Sequence, residues 1–345
     1  MREVRCVLVG LGNLGRRFCE ILSEKDADLR QRYGLALVLV GAADSRGAAY
    51  APGGLDWAEV ARLKREGGSV GAYPGAGRPG WDARALVAEA EADLLLEASP
   101  VNLAQGAEPG LTCVRTAMQK GMHVVTPNKG PLVLAYRELH DLAKEKGVQL
   151  RFDGAVAGGL PAINLGRRDL RGAEIYRIEA VPNLVTGYIM DMLADGISWE
   201  EAQRRARQEG VLEADAAWDL EGWDAAAKLV ILANAVLDYP ATLDSVIRTG
   251  ITALGETDLI AARKRGYRYR LLACAERRAD GTYTLSVAPV ALAPEHALGS
   301  LGLKQMGVVF VTDIYGTITA IIDELNPIPS AATMLRDLLD IYVRE

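Results

Sequence analysis

Val4-Arg5-Cys6-Val7-Leu8-Val9-Gly10-Leu11-Gly12-Asn13-Leu14-Gly15 is an apolar run that ends in a G-x-G-x-x-G turn. Residues 16–25 follow with Phe18, Ile21 and Leu22 at helical spacing, so the local order is strand, glycine turn, helix. Read alone, such a turn need be no more than tight chain reversal. A second apolar run at 35–43 ends on Asp44, where a dinucleotide-binding unit carries the acid that meets ribose hydroxyls, and the two runs together predict NAD or NADP binding. Gly10 permits the turn, Gly12 leaves room for a pyrophosphate, and Gly15 lets the helix close on the strand. The unpaired N–H groups of Asn13 and Leu14 face the phosphates. The crossover to Asp44 is longer than the usual roughly 20 positions because 26–34 extends it. Asp44 argues for NAD, whereas Ser45 and Arg46 directly after it suit a 2′-phosphate, so both cofactors stay open.

Outward from this unit, helices expected at 57–66, 82–91, 111–120 and 132–146 alternate with strands at 93–98, 123–126 and 149–153. Alternation of this kind predicts an α/β fold with a mostly parallel sheet covered on both faces. Ser99, just beyond the strand at 93–98, joins the expected cofactor-binding residues. After Gly154 the pattern changes. A glycine-rich segment leads to strands near 173–181, 268–275 and 282–288, and to helices near 184–194, 198–209 and 223–237, a second, α+β domain. A strand at 308–313 and a helix at 331–342, with Ser330 as its N-cap, close the chain.

The whole sequence of 345 residues has 50% hydrophobic and 24% charged residues, ordinary for a globular enzyme and unlike a disordered chain. Lys and Arg total 39 against 45 acids, a net charge of -6 without any basic stripe, so nucleic acid is not an expected partner. No apolar run approaches the roughly 18 residues of a membrane span. Cys6, Cys19, Cys113 and Cys274 are scattered without a CxxC pair, which fits a reduced, cytoplasmic setting rather than a zinc or disulfide framework. With only His123, His140 and His296 present, other titratable groups are expected to carry the chemistry.

Two further stretches supply them. Thr126-Pro127-Asn128-Lys129-Gly130-Pro131 lies at the carboxyl end of a strand, the edge where ligands of open α/β sheets bind, so Lys129 is either a solvated loop lysine or points to the cofactor cleft. The segment 213–232 places Glu213, Asp215, Asp219, Glu221 and Asp224 before an almost wholly apolar helix that contains one lysine, Lys228. Asp224 and Lys228 are one helical turn apart. An exposed pair at that spacing contributes only about 0.2–0.5 kcal/mol. The apolar run 229–232 leaves little exposed helix face, so Lys228 is expected to be partly buried, where an ammonium can polarise a carbonyl. A calcium loop is excluded by acid spacing and glycine placement.

Taken together, Gly10–Gly15, Ala43-Asp44-Ser45-Arg46-Gly47-Ala48, Glu108-Pro109-Gly110, the 123–132 stretch and the 213–232 block resemble homoserine dehydrogenase over most of the chain. The resemblance implies NAD(P)-dependent interconversion of L-homoserine and L-aspartate 4-semialdehyde. It implies a Rossmann domain made of 1–153 and 308–345, an inserted substrate and dimerisation domain at 154–307, a terminal helix returning to the Rossmann domain, and a homodimer. It assigns Lys129 and Lys228 as catalytic, and Glu213, Asp219, Asp224, Asn183 and Thr186 as substrate-binding. It also implies a sodium site at Asp153, Val156 and Gly158, although Asp153 is shorter than the usual glutamate. No ACT regulatory domain is expected. One departure stands out: Asn183-Leu184-Val185-Thr186-Gly187-Tyr188 replaces the family's Asn-Gly-Thr-Thr-Asn-Tyr, so Leu184 and Val185 take the place of small, hydrogen-bonding residues. A related dehydrogenase with another small amino or hydroxy acid substrate, and a non-catalytic NAD(P)-binding sensor, are the alternative readings.

Overall fold

The computed structural model describes residues 1–209, 211–212 and 216–343. The chain divides into two units, Met1–Gly159 with Asn326–Glu345, and Leu160–Leu325. In chain order the first contains β1 (Arg2–Val9), α1 (Asn13–Tyr33), β2 (Leu35–Asp44), β3 (Gly47–Leu55), α2 (Trp57–Arg65), β4 (Gly77–Arg78), α3 (Ala83–Glu89), β5 (Leu94–Glu97), α4 (Gly110–Gln119), β6 (His123–Val125), α5 (Lys129–Lys146) and β7 (Leu150–Arg151). Their sheet order is β4-β3-β2-β1-β5-β6-β7, parallel from β2 to β7, with β3 and β4 added as antiparallel strands at the edge.

The near-continuous apolar sequence of β1 follows from its central place, because both faces are covered. Val4, Cys6 and Leu8 pack with Phe18, Cys19 and Leu22 of α1, while Val7 and Val9 pack with Leu86, Val114 and Met118 on the opposite face. α1 runs to Tyr33, well beyond the 16–25 span that its apolar spacing predicts. Its second half is solvated, stitched by an Arg30–Asp26 pair at 2.7 Å, and nothing breaks it before Gly34 takes the left-handed cap conformation (φ 62). β3 was not expected because 45–81 reads as a glycine-rich connection. Three of its four buried positions, Gly47, Ala48 and Ala49, are too small to mark a strand in sequence, and the fourth, Leu55, stands alone at its end.

The second unit contains α6 (Ala162–Asn164), β8 (Ile175–Val181), α7 (Leu184–Ala194), α8 (Trp199–Gln208), α9 (Ala217–Leu220), α10 (Trp223–Ala235), β9 (Val246–Arg248), α11 (Glu256–Lys264), β10 (Arg268–Arg277), β11 (Tyr283–Leu292), β12 (Gln305–Thr312) and β13 (Thr317–Asp323). These strands form a sheet of order β13-β12-β8-β10-β11-β9, antiparallel except where β9 meets β11. Beside it α7 is fixed by a buried ion pair, with Arg270 reaching both carboxylate oxygens of Asp191 at 3.1 Å.

Here the expected domain boundary moves. The strand read at 308–313 pairs with β8 through register partners such as Val308 and Ala180, so it belongs to the second sheet. Only the chain from Asn326 onward groups with the first unit, as α12 (Ile328–Tyr342). α12 starts three residues before the expected 331, with Pro327 at its N-cap position and Pro329 in its first turn, so Ser330 lies inside the helix rather than capping it. Met334, Leu338, Ile341 and Tyr342 of α12 close the α1 side of the first sheet.

Candidate active site

In the first unit the carboxyl ends of the parallel strands carry the glycine turn. Gly10 has φ +88, and a Cβ there would stand 2.3 Å from the Ala98 carbonyl carbon and 2.4 Å from the Ser99 nitrogen. The turn therefore presses backbone to backbone on the segment after β5, and only glycine fits. A Cβ on Gly15 would fall 1.9 Å from the Gly10 oxygen, so α1 needs that glycine to start where it does. Gly12 differs, since nothing lies within 4 Å of its Cβ position. That open space above the turn, and an α1 N-terminus without a side-chain cap or an acid in its first turn, are what an approaching pyrophosphate requires.

Asp44 and Arg46 lie at the end of β2, as the sequence places them, but both are already engaged. Asp44 Oδ2 accepts from Lys64 Nζ at 2.7 Å and Val70 N at 3.1 Å, and Oδ1 accepts from Arg46 N at 2.8 Å and Ser69 Oγ at 2.9 Å. Burial alone would raise this carboxyl, and the four hydrogen bonds outweigh it and hold it below its ordinary value. The Arg46 guanidinium donates to the carbonyls of Gly67 and Gly68. Asp44 is thus spent on the chain's own donors instead of standing open for a ribose. Lys64 has no sequence motif to announce it, because it is 20 positions away on α2.

Lys129 is the first residue of α5, which Asn128 caps by accepting from Gly130 N at 2.9 Å. Asn128 Nδ2 reaches Ser99 Oγ at 3.3 Å, so the expected cofactor residue at the end of β5 and the cap before Lys129 are tied together. Both bear on Glu97, which sequence reading passed over as strand interior. Its carboxylate accepts from Ser99 N at 2.8 Å, from Ser99 Oγ, and from Thr126 Oγ1 at 2.9 Å.

The expected sodium site has a different occupant at its side chain. Asp153 Oδ2 accepts from the Arg336 guanidinium at 2.6 Å, and Arg336 also donates to the Gly159 carbonyl at 3.1 Å. With an internal cation already on it, the Asp153 carboxylate does not suit a sodium ion. Among the described residues no cluster of three or more His, Cys, Asp or Glu side chains is arranged to hold a metal.

In the second unit Asp219, Asp224 and Lys228 of the 213–232 block do converge. Lys228 Nζ lies 2.8 Å from Asp224 Oδ2 and donates to the Pro182 carbonyl at 2.7 Å. Asn183 Nδ2 donates to Asp219 Oδ1 at 2.6 Å and to Asp224 Oδ2 at 2.7 Å. Helical spacing puts 224 and 228 on one face of α10, and the buried remainder of that helix leaves the pair only 6% and 13% exposed at the side chain. This is not a solvated surface pair. The lead into α10 is fixed by stacking: Trp218 and Trp223 lie 5.8 Å apart at 18°, and Arg248 sits 3.7 Å over the Trp223 ring.

Asn183 also caps α7, accepting from Thr186 N at 3.3 Å. Thr186 itself is fully buried, and its Oγ1 has no hydrogen-bond partner, so its side chain is closed off from solvent where substrate contact was expected. Leu184 and Val185, the first two residues of α7, are half-buried. Glu213 lies outside the described residues.

Known proteins match this arrangement along its length. Residues 10–153 match the homoserine dehydrogenase NAD-binding domain, and 161–339 match the homoserine dehydrogenase domain. The chain belongs to the homoserine dehydrogenase family. The NAD(+)-dependent homoserine dehydrogenase of Pseudomonas canavaninivorans is 33% identical over 99% of this chain and 97% of its own length. Homoserine dehydrogenase of Methanocaldococcus jannaschii is 34% identical over 97% of this chain and 98% of its own. Among solved structures, a putative homoserine dehydrogenase from Archaeoglobus fulgidus superposes with TM-score 0.87 at 31% identity, covering 99% of this chain and all of that one. A hyperthermophilic archaeal homoserine dehydrogenase in complex with NADPH gives 0.85 at 26% identity, over 99% and 98%. The protein is accordingly an NAD(P)-dependent oxidoreductase of the homoserine dehydrogenase type.

Proposed function

We propose that Lys228, held by Asp224 and the Pro182 carbonyl, is the group that handles the proton when this enzyme interconverts L-homoserine and L-aspartate 4-semialdehyde. The observation that carries the assignment is the partly buried Lys228–Asp224 pair with Asn183 bridging both acids. A bound nicotinamide supplies or accepts the hydride. At Nζ the chain offers a positive charge to the oxygen of the reacting carbonyl and a proton for the alkoxide that develops there. Asp219 and Asp224 provide negative charge for the substrate ammonium, Glu213 joins them by the family resemblance, and Lys129 is the second catalytic lysine on the same ground.

Gly10, Gly12, Gly15, Asn13, Leu14 and Ser99 line the cofactor site in this reading, with Asp44 and Arg46 shaping its ribose end indirectly. In this reading the Asp153 carboxylate serves Arg336, and a bound sodium ion would rest on backbone carbonyls such as those of Val156 and Gly158. Two-fold assembly through the second unit is part of the proposal, since closed dimers are the commonest symmetric assembly. Light scattering at micromolar concentration checks it, with a monomer as the contrary result.

The deciding measurement is Lys228→Ala. The purified variant should fold and bind cofactor while kcat falls by at least about a hundredfold, the scale of general acid catalysis. Near-normal kcat would return Lys228 to a purely structural ion pair. A second reading, a related dehydrogenase of another small amino or hydroxy acid, is favoured by Leu184 and Val185. A substrate panel read by nicotinamide absorbance separates the two.

A further inference from the structure

Glu97 is the last residue of β5, fully buried, and no salt bridge reaches it among the described residues. An isolated carboxylate in that position is costly unless donors surround it. Here the donors are all neutral and all point inward. Thr126 Oγ1 already accepts from Asn128 N at 3.0 Å, so its own hydrogen is free for Glu97 Oε2. Ser99 Oγ accepts from Asn128 Nδ2 at 3.3 Å, and its hydrogen goes to Glu97 Oε1, which also takes the Ser99 N–H. Burial pushes this carboxyl up, and the hydrogen bonds from Ser99, Thr126 and Asn128 oppose that push; a proton on the carboxyl would force one of the hydroxyl hydrogens to turn away, so the network favours the ionised form. Gly110 at the start of α4 keeps the space clear, because a Cβ there would stand 2.7 Å from Asn128 Nδ2 and 3.2 Å from Glu97 Oε1.

The place of this anion in the sheet matters. β1, whose glycine turn suits the pyrophosphate, has β2 on one side and β5 then β6 on the other. A dinucleotide crossing that turn sets its adenosine half toward β2 and its nicotinamide half toward β5 and β6. Ser99, 8% exposed, bonds Glu97 directly, and Asn128, 3% exposed, bonds Ser99 in turn. The oxidised nicotinamide ring carries a positive charge and the reduced ring carries none.

We propose that Glu97 is a positioning residue that serves as the buried counter-charge of the oxidised cofactor, acting through Ser99 and Asn128 to favour NAD(P)+ over NAD(P)H. The inference rests on dinucleotide binding at the glycine turn and goes beyond it. Glu97 touches neither the substrate nor the reacting atoms. It acts by charge and by fixing the two residues in front of it.

The test is equilibrium binding, independent of turnover. Dissociation constants for the oxidised and reduced forms of the preferred cofactor are measured by calorimetry on the full chain, for wild type, Glu97→Gln and Thr126→Val. Loss of one charge at short range across protein should change the oxidised-to-reduced affinity ratio at least about fivefold in Glu97→Gln. Thr126→Val loses a donor but keeps the charge, and its ratio should stay within about twofold of wild type. If Glu97→Gln does not fold, the pair Glu97→Met with Thr126→Val removes charge and donor together and is read in the same way. A ratio unchanged in a folded Glu97 variant overturns the role of Glu97 alone. Wild-type protein that binds neither form overturns the dinucleotide reading and this proposal with it.

Discussion

At the end of β2, one side chain from α2 decides what charge a ribose would meet. Lys64 neutralises Asp44 at 2.7 Å, and both are nearly buried, so the pair is weakly screened. Lys64→Met should leave Asp44 negative and uncompensated, which disfavours a 2′-phosphate far more than a 2′-hydroxyl. The expected outcome is a shift of kcat/KM toward NAD over NADP by about tenfold, about 1.4 kcal/mol. An unchanged ratio in initial-rate assays with both cofactors would detach Asp44 from cofactor choice. This pair also marks what a sequence can disclose about single residues. Asp224 and Lys228 were legible because helical periodicity alone puts them on one face. Lys64 on Asp44, Arg336 on Asp153, the Pro182 carbonyl on Lys228, and Thr126 on Glu97 were not, because each partner is brought in from another part of the chain by the fold.

At the scale of elements, the N-terminal turn of α7 is the part of the site most open to change. Asn183 is locked by Asp219, Asp224 and its own cap to Thr186, while the two residues between cap and buried core, Leu184 and Val185, are apolar. If a substrate polar group faces them, leaving it unpaired costs about 1–3 kcal/mol, or roughly five- to 150-fold in kcat/KM. Homoserine oxidation should therefore be detectable but poor, and should improve when Leu184→Gly and Val185→Thr are combined. Efficient wild-type turnover with no gain in the double variant would remove the turn from the specificity elements. α7 itself was readable from its apolar run, while its Asn183 cap was not singled out. Elements without a strong period were not: β3 is built on alanine and glycine, and β13 is an edge strand whose residues are all at least partly exposed. The solvated half of α1 has polar pairs in place of an apolar stripe.

For the molecule as a whole, the return of α12 to the first unit is where stability becomes linked to pH. Asp337 on α12 accepts from the Asp153 N–H at 2.9 Å, its other oxygen is buried without a partner, and Arg336 beside it holds the Asp153 carboxylate. Burial first, then the neighbouring Asp153 charge, pushes the Asp337 carboxyl up to about 7, against an ordinary carboxylate value near 4. Between about pH 4 and 7 the folded chain keeps a proton on Asp337 that the unfolded chain has released. Its contribution is therefore fully favourable below that window, declines as pH rises through it, and is lost above about 7. Asp337→Asn keeps an acceptor for the Asp153 N–H and abolishes the titration. Relative to wild type, the variant should gain at least about 1.4 kcal/mol between pH 5 and pH 8, one pKa unit's worth, which in a chain of this size moves Tm by about 2 °C or more. Thermal melts at the two pH values read the difference directly. Melting curves of wild type and variant that shift in parallel with pH would mean that Asp337 carries its charge in the folded protein at no cost, with Arg336 compensating both carboxylates at once.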